Sequence, residues 1–289
     1  MRLIKNCLSI LERMSFPDKT ITLEEAMKDY ENLQEIKGYT QSNVGNKATD
    51  YFMYPYRSRT KTGKWSHRSA WANPEERKKI IANTMKLNKV SEEEARSNKS
   101  LLRGTLQMMY GSVNQFKPNI AKYLYVRYGA TKILDFSAGW GGRLLGAMAA
   151  NIDYIGIDTN KALATPYKKI ISTYPHKSKT RIIIGKAENQ NYKNMNYDFV
   201  FTSPPYADKE KYENMPDYED FNEEFLKPVV EKTYDALPKG KYYALNIPKD
   251  IYTEVKKYIG SYDEKIKLKK SQRTGAGKDY GEFIYVWKK

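Results

Sequence analysis

The chain has 289 residues and carries 50 Lys and Arg against 34 Asp and Glu, a formal net charge of +16. That length allows one large domain or a domain with a substantial extension, and a hydrophobic fraction of 40% with 13% aromatics is enough to build a core, which excludes disorder throughout. No run approaches the roughly 18 apolar residues of a membrane span, and the opening MRLIKNCLSILERM is broken by Lys5, Asn6 and Glu12, so the chain reads as a cytoplasmic protein without a membrane partner.

Cys7 is the only cysteine, and His67 and His176 are the only histidines. That leaves too few soft ligands for a zinc site of the usual kind, and no metal is expected. Charge is unevenly spread. Residues 1–130 hold 23 Lys and Arg against 13 Asp and Glu, and residues 131–289 hold 27 against 21. A positive excess suits a polyanion, because each neutralised phosphate releases condensed counterions, although a Lys-rich solvated surface gives the same total.

In chain order, the first helix start is Thr22-Leu-Glu-Glu-Ala, with a Thr cap and an acidic first turn. Residues 51–73 then contain no acid; Arg57, Arg59, Lys61, Lys64 and Arg68 are interleaved with Tyr51, Phe52, Tyr54, Tyr56, Trp65 and Trp71. Bases stack on aromatics while phosphates pair with Arg and Lys, so the mixture suits a nucleic-acid surface. A β-hairpin turning at Thr60-Lys61-Thr62-Gly63, with partly buried aromatics and solvated cations, fits the same residues. Asn73-Pro74-Glu75-Glu76 and Ser91-Glu-Glu-Glu-Ala are further helix starts. Residues 1–110 are therefore expected to be a mainly helical, basic region, and 111–289 a second domain.

From Thr131 short apolar runs alternate with helical stretches, the pattern of βαβ units and a mostly parallel sheet. The runs are Ile133-Leu-Asp-Phe, Tyr154-Ile-Gly-Ile-Asp, Arg181-Ile-Ile-Ile, Asp198-Phe-Val-Phe-Thr, Tyr242-Tyr-Ala-Leu-Asn, Lys265 to Lys269 and Glu282-Phe-Ile-Tyr-Val-Trp, with helices at 143–150 and 161–173 between them.

The first run leads into Ser137-Ala-Gly-Trp-Gly-Gly142 and a helix, a turn that brings a ligand close to main-chain amides. The second ends at Asp158, where an acid can hold both ribose hydroxyls. The third leads to Gly185-Lys-Ala-Glu188-Asn189, whose polar side chains suit an adenine ring or a helix cap. A phosphate-binding P-loop is disfavoured, since no Gly-Lys-Ser/Thr follows the turn. The fourth run ends in Thr202-Ser203-Pro204-Pro205-Tyr206. Two prolines fix φ and remove two donors, which leaves carbonyls and the Ser203 hydroxyl as acceptors beside an aromatic plate, an arrangement for a planar substrate with an exocyclic amine.

Asp135-Phe-Ser-Ala-Gly-Trp-Gly141 together with Ser203-Pro-Pro-Tyr206 resembles the amino-group DNA methyltransferases that use S-adenosyl-L-methionine, over residues 110 to 289. The resemblance implies an α/β, Rossmann-like class I methyltransferase fold with a mostly parallel seven-stranded sheet. It maps the methionine part of the cofactor onto Asp135, Phe136, Ser137, Ala138, Gly139 and Gly141, the ribose onto Asp158, and adenine onto Glu188 and Asn189. Phe116, Lys117 and Pro118, heading a helix before the first run, are similar to the segment that closes over the cofactor carboxylate. Ser137 stands where the family usually has Phe, with Phe136 one place earlier.

The resemblance implies methyl transfer to a flipped base through Ser203, Pro204, Pro205 and Tyr206, with S-adenosylhomocysteine as product. Ser as the first motif residue favours cytosine N4 over adenine N6. DNA is the expected partner and RNA the alternative, and a third reading is a non-catalytic nucleic-acid-binding protein on a degenerate methyltransferase fold, in which Ser137 reflects lost cofactor binding. A restriction endonuclease partner is open, as is the choice between monomer and homodimer. Only about sixty residues separate the two motifs, too few for a recognition domain. Recognition is therefore expected from the N-terminal region through Arg57, Arg59, Lys61, Lys64, Trp65 and Arg68, with Arg273 in a Gly-rich loop before the last run. The acidic, Tyr-rich segment 207–221 reads either as a lid over the base pocket or as a solvated loop.

Overall fold

The computed structural model describes residues 15–40, 42–61, 63–205, 216–268 and 282–289. The expectations for Cys7, Tyr206, Arg273 and most of the acidic segment lie outside the described residues. In chain order the first helices are α1 (Leu23–Glu35), α2 (Asn46–Arg57), α3 (His67–Ala72), α4 (Pro74–Asn88), α5 (Glu92–Ser97), α6 (Lys99–Tyr110) and α7 (Pro118–Arg127). There follow β1 (Lys132–Asp135), α8 (Gly142–Ala149), β2 (Asp153–Asp158), α9 (Ala164–Thr173), β3 (Thr180–Ile184) and β4 (Phe199–Thr202). The chain ends with α10 (Lys227–Ala236), β5 (Tyr242–Ile247), α11 (Lys249–Ile259), β6 (Glu264–Leu268) and β7 (Glu282–Lys288).

The described residues form two compact units, one of 15–21 and 54–114, the other of 22–53, 115–205, 216–268 and 282–289. Residues 22–53, expected in the N-terminal region, group with the sheet, and the first unit ends at 114. In the first unit the caps are those the sequence announces: Asn73 Oδ1 accepts from the amides of Glu75 and Glu76 ahead of Pro74, and Ser91 accepts from Glu94. Trp71, Ile80, Ile81, Leu102 and Leu106 close its core. The hairpin reading of 51–73 does not hold. Buried Thr49, Asp50, Met53 and Tyr54 fall at helical spacing on α2, and among the described residues between α2 and α3 the pairing is an isolated bridge, Lys61 to Ser66.

The second unit is built on a seven-stranded sheet of order β3-β2-β1-β4-β5-β7-β6. β7 runs antiparallel to β5 and β6, and the other pairs are parallel. This order, with an antiparallel strand inserted near one edge, is that of the Rossmann-like class I methyltransferase fold. Each of the seven expected runs is a strand. One sheet face packs Leu134, Ile155, Ile157, Val200, Tyr243 and Tyr285 against Phe225, Val229, Val230 and Val255. On the other, Tyr125 of α7 meets the rings of Phe199 and Phe201 edge-on.

α1 starts on a capping box between Thr22 and Glu25 and ends on a buried cation. Lys122 Nζ of α7 donates to the carbonyls of Leu33, Gln34 and Ile36 at 2.8, 2.6 and 3.0 Å. These oxygens lie at the negative end of the helix dipole, which suits an ammonium. Among the described residues no helix is long and apolar enough to cross a membrane.

Candidate active site

The strand order reverses between the parallel neighbours β1 and β4, the two central strands that lead to helices on opposite sides, and ligands of open α/β sheets bind outside the carboxyl ends at such a point. The loops after β1, β2, β3 and β4 all emerge at that edge, which brings together Ser137–Gly139, Asp158, Glu188 and Ser203.

The loop after β1 needs glycine at two positions for conformation, since Gly139 has φ +59° and Gly141 φ +76°. At Gly139 an added Cβ would make only ordinary contacts, with the Ser137 carbonyl at 3.7 Å and Arg143 Nη2 at 4.0 Å, so conformation rather than crowding calls for glycine there. Gly142 is required for a different reason. A Cβ there would lie 2.0 Å from the Phe116 carbonyl oxygen, so only glycine lets the segment Phe116-Lys117-Pro118 lie against the loop. Pro118 takes the first position of α7, where its missing donor costs nothing, and Lys117 is the N-cap. Thr49 and Met53 of α2 and Ile170 of α9 close the other side of Gly141.

Asp135 is fully buried and is not a free ligand. Its Oδ1 accepts from the Ser137 amide at 3.2 Å and the Thr202 hydroxyl at 2.8 Å. Its Oδ2 accepts from Arg143 Nε and the Tyr154 hydroxyl, both at 2.6 Å. Arg143 Nη2 reaches Oδ1 at 3.3 Å and also donates to the Ser137 carbonyl. Burial, reinforced by the charge of Asp135, pushes the Tyr154 phenol well up, so it remains a donor. Phe136 and Ala138 are buried too, Phe136 in the core beneath the sheet, so their side chains support the loop rather than face a ligand.

Asp158 accepts from the amides of Gly139 and Asn160, each at 2.8 Å, and from the Tyr167 hydroxyl at 3.1 Å, a phenol that also contacts the Gly139 carbonyl. Burial lifts its carboxyl above the usual range, and those three donors oppose the lift. One turn after β3, Glu188 Oε1 accepts from Tyr218 at 2.9 Å, while Oε2 is buried with no partner among the described residues. Asn189 is exposed beside it.

At the end of β4, the Ser203 hydroxyl lies 3.2 Å from the Asn246 carbonyl and 3.3 Å from its Oδ1, and donates to that residue. Asn246, buried on β5, is held in turn by donation from its Nδ2 to the Phe283 carbonyl at 3.1 Å. Pro204 is buried and Pro205 half-buried. Arg143, Asn246, Tyr167 and Tyr218 support or line this edge without being singled out by the sequence. Arg143 directly follows the recognised glycine loop, and Tyr218 falls within the acidic segment 207–221.

The basic residues belong to the other unit. Arg68 is committed internally: it pairs with Asp18, donates to Ser58 Oγ at 2.8 Å and lies 4.4 Å over the Phe16 ring. Trp65 is half-buried against that unit's core, and Arg57 lies over Tyr54. Arg59, Lys61 and Lys64 are exposed.

No protein-family model matches the chain, and no curated protein does. Solved structures do resemble it. An rRNA methylase from Streptococcus thermophilus is 11% identical, over 62% of this chain and 99% of that one, with a TM-score of 0.42. The N-methyltransferase NodS from Bradyrhizobium japonicum is 9% identical, over 57% and 88%, with a TM-score of 0.39. Precorrin-6y C5,15-methyltransferase from Geobacter metallireducens is 11% identical, over 58% and 88%, with a TM-score of 0.40. The class I methyltransferase fold itself rests on the strand order.

S-adenosylmethionine fits the residues of this edge. Gly139, lacking a side chain, lets a ligand approach the main chain, the Asp158 carboxylate at the end of β2 could take hydroxyl groups, and Glu188 Oε2, without a partner among the described residues, is an acceptor that suits an amino group.

Proposed function

We propose that the chain is an S-adenosylmethionine-dependent methyltransferase acting on the exocyclic amine of a nucleic-acid base, with N4 of cytosine in DNA as its first substrate. The observation that carries this reading is the orientation of Ser203. Its hydroxyl proton is directed to Asn246, so its oxygen lone pairs remain as acceptors at the carboxyl end of β4.

When bound, the cofactor supplies a methyl group activated on a sulfonium. Asp158 would hold the ribose, Glu188 the adenine amine, and the Ser137–Gly139 backbone the methionine part. An exocyclic amine is a weak nucleophile because its lone pair is delocalised into the ring. The Ser203 oxygen and the Pro204 carbonyl would accept hydrogen bonds from its N–H groups, returning electron density to nitrogen, the proton released on methylation would pass to water, and Tyr206 would stack on the ring. Alignment and fixed dipoles then do most of the catalysis. Pro204 and Pro205 cannot donate, so the site presents acceptors where an amine arrives. A paired base cannot reach such a pocket, and flipping costs a few kcal/mol.

The test incubates DNA and, separately, RNA with methyl-labelled S-adenosylmethionine and analyses the nucleosides by mass spectrometry. Labelled N4-methyl-2′-deoxycytidine from DNA is expected. Label on adenine N6 would move the target base, label in RNA alone would move the substrate, and no label in any nucleic acid would overturn the proposal. Ser203→Ala is expected to slow transfer about 100-fold while S-adenosylhomocysteine still binds normally.

A further inference from the structure

Asp135, the residue that opens the glycine loop, is wholly enclosed. Its donors come from three different parts of the edge: the Ser137 amide from the glycine loop, Tyr154 from β2, and Thr202 from β4, one residue before Ser203. Arg143 joins the same carboxylate to the loop from the other side, through the Ser137 carbonyl. The guanidinium also lies 5.8 Å over the Phe116 ring, and Phe116 meets Phe201 edge-on at 5.1 Å. Phe201 precedes Thr202, so the contacts close a circuit through the Phe116 segment, the glycine loop and the end of β4.

Resting on the methyltransferase reading above, we propose that the Asp135–Arg143 pair is a coupling element that sets the cofactor loop and the acceptor strand in one register, with Arg143, Tyr154 and Thr202 as positioning residues. None of the three touches a ligand: Thr202 and Tyr154 are fully buried and Arg143 nearly so. A change at Thr202, on the substrate side, is therefore felt at the cofactor loop through one shared carboxylate. Coupling between two binding events is reciprocal, so an amine engaging Ser203 strengthens cofactor binding by the factor with which the cofactor strengthens substrate binding.

The test uses the full chain and S-adenosylhomocysteine, by titration calorimetry well below the unfolding temperature. Thr202→Val keeps the shape and removes the hydroxyl, and Thr202→Ser keeps the hydroxyl. Thr202→Val is expected to weaken binding about tenfold, a typical coupling, and Thr202→Ser to restore it. A role in stability alone would lower the unfolding temperature of Thr202→Val and leave its affinity unchanged, and that result would overturn the proposal. Tyr154→Phe withdraws a different donor from the same carboxylate and decides the matter should Thr202→Val not fold: weaker binding supports the coupling, unchanged binding overturns it. Wild-type protein that gives no heat with S-adenosylhomocysteine would remove the methyltransferase reading and the coupling with it.

Discussion

A buried polar group left without a partner costs about 1–3 kcal/mol, more when charged, and Glu188 carries that penalty at Oε2 while Asp135, a few strands away, is saturated with donors. The contrast separates a structural acid from one kept ready for a ligand. Glu188→Gln should weaken S-adenosylhomocysteine binding about tenfold, because the carboxamide is a poorer acceptor and can turn a donor toward the adenine amine. The same change removes a buried charge, so the unfolding temperature should stay level or rise. Calorimetry and thermal denaturation on one sample check both signs, and tight binding by the variant would exclude Glu188 as the adenine contact. The acids at the strand ends were legible in the sequence because each follows an apolar run. Their partners were not, since Thr202, Tyr154 and Tyr218 reach them from distant points of the chain and only the fold brings them near. Phe136 and Asp135 illustrate the converse: both sit in the recognised motif, but strand alternation and burial turn them into supports.

Gly142 and Gly146 share one face of α8, and both lie against the start of α7. A Cβ at Gly146 would come within 2.6 Å of the Pro118 carbonyl and 2.9 Å of the Lys122 amide, backbone atoms with nowhere to go. Gly146→Ala should therefore destabilise by about 1–3 kcal/mol, as overpacking does. Gly104, within α6, meets nothing within 4 Å of an added Cβ, and Gly104→Ala should stabilise by about 0.4–1 kcal/mol. Urea denaturation of the two variants gives opposite signs if packing decides, and equal signs would refute the argument. Strands were readable from the sequence because a strand buried on both faces is a continuous apolar run. α2 was harder to read, since its aromatic residues mimic a basic β-hairpin until buried Thr49, Met53 and Tyr54 are seen to recur at helical spacing. The Lys122 cap of α1 had no sequence signal, because it joins a side chain to carbonyls nearly ninety residues earlier.

The net charge of +16 does not by itself identify a partner, and the first unit narrows what its cations are free to do. Arg68 is committed to Asp18 and Ser58, Trp71 and Tyr54 are buried, and Trp65 is half-buried, so few aromatic faces remain for base stacking in residues 54–73. What remains is electrostatic: Arg59, Lys61 and Lys64, exposed along the turn between α2 and α3. Such a set would grip phosphates without reading sequence, and its signature is salt dependence. Replacing all three by Gln should weaken nucleic-acid binding and reduce the slope of log affinity against log salt by up to about 2.7, at about 0.9 per duplex phosphate released. Affinity for S-adenosylhomocysteine should not change, because that site lies within the other unit. Fluorescence anisotropy with a labelled duplex across a salt series measures the slope directly. An unchanged slope would mean that these cations are ordinary solvated surface and that the substrate is gripped elsewhere on the chain.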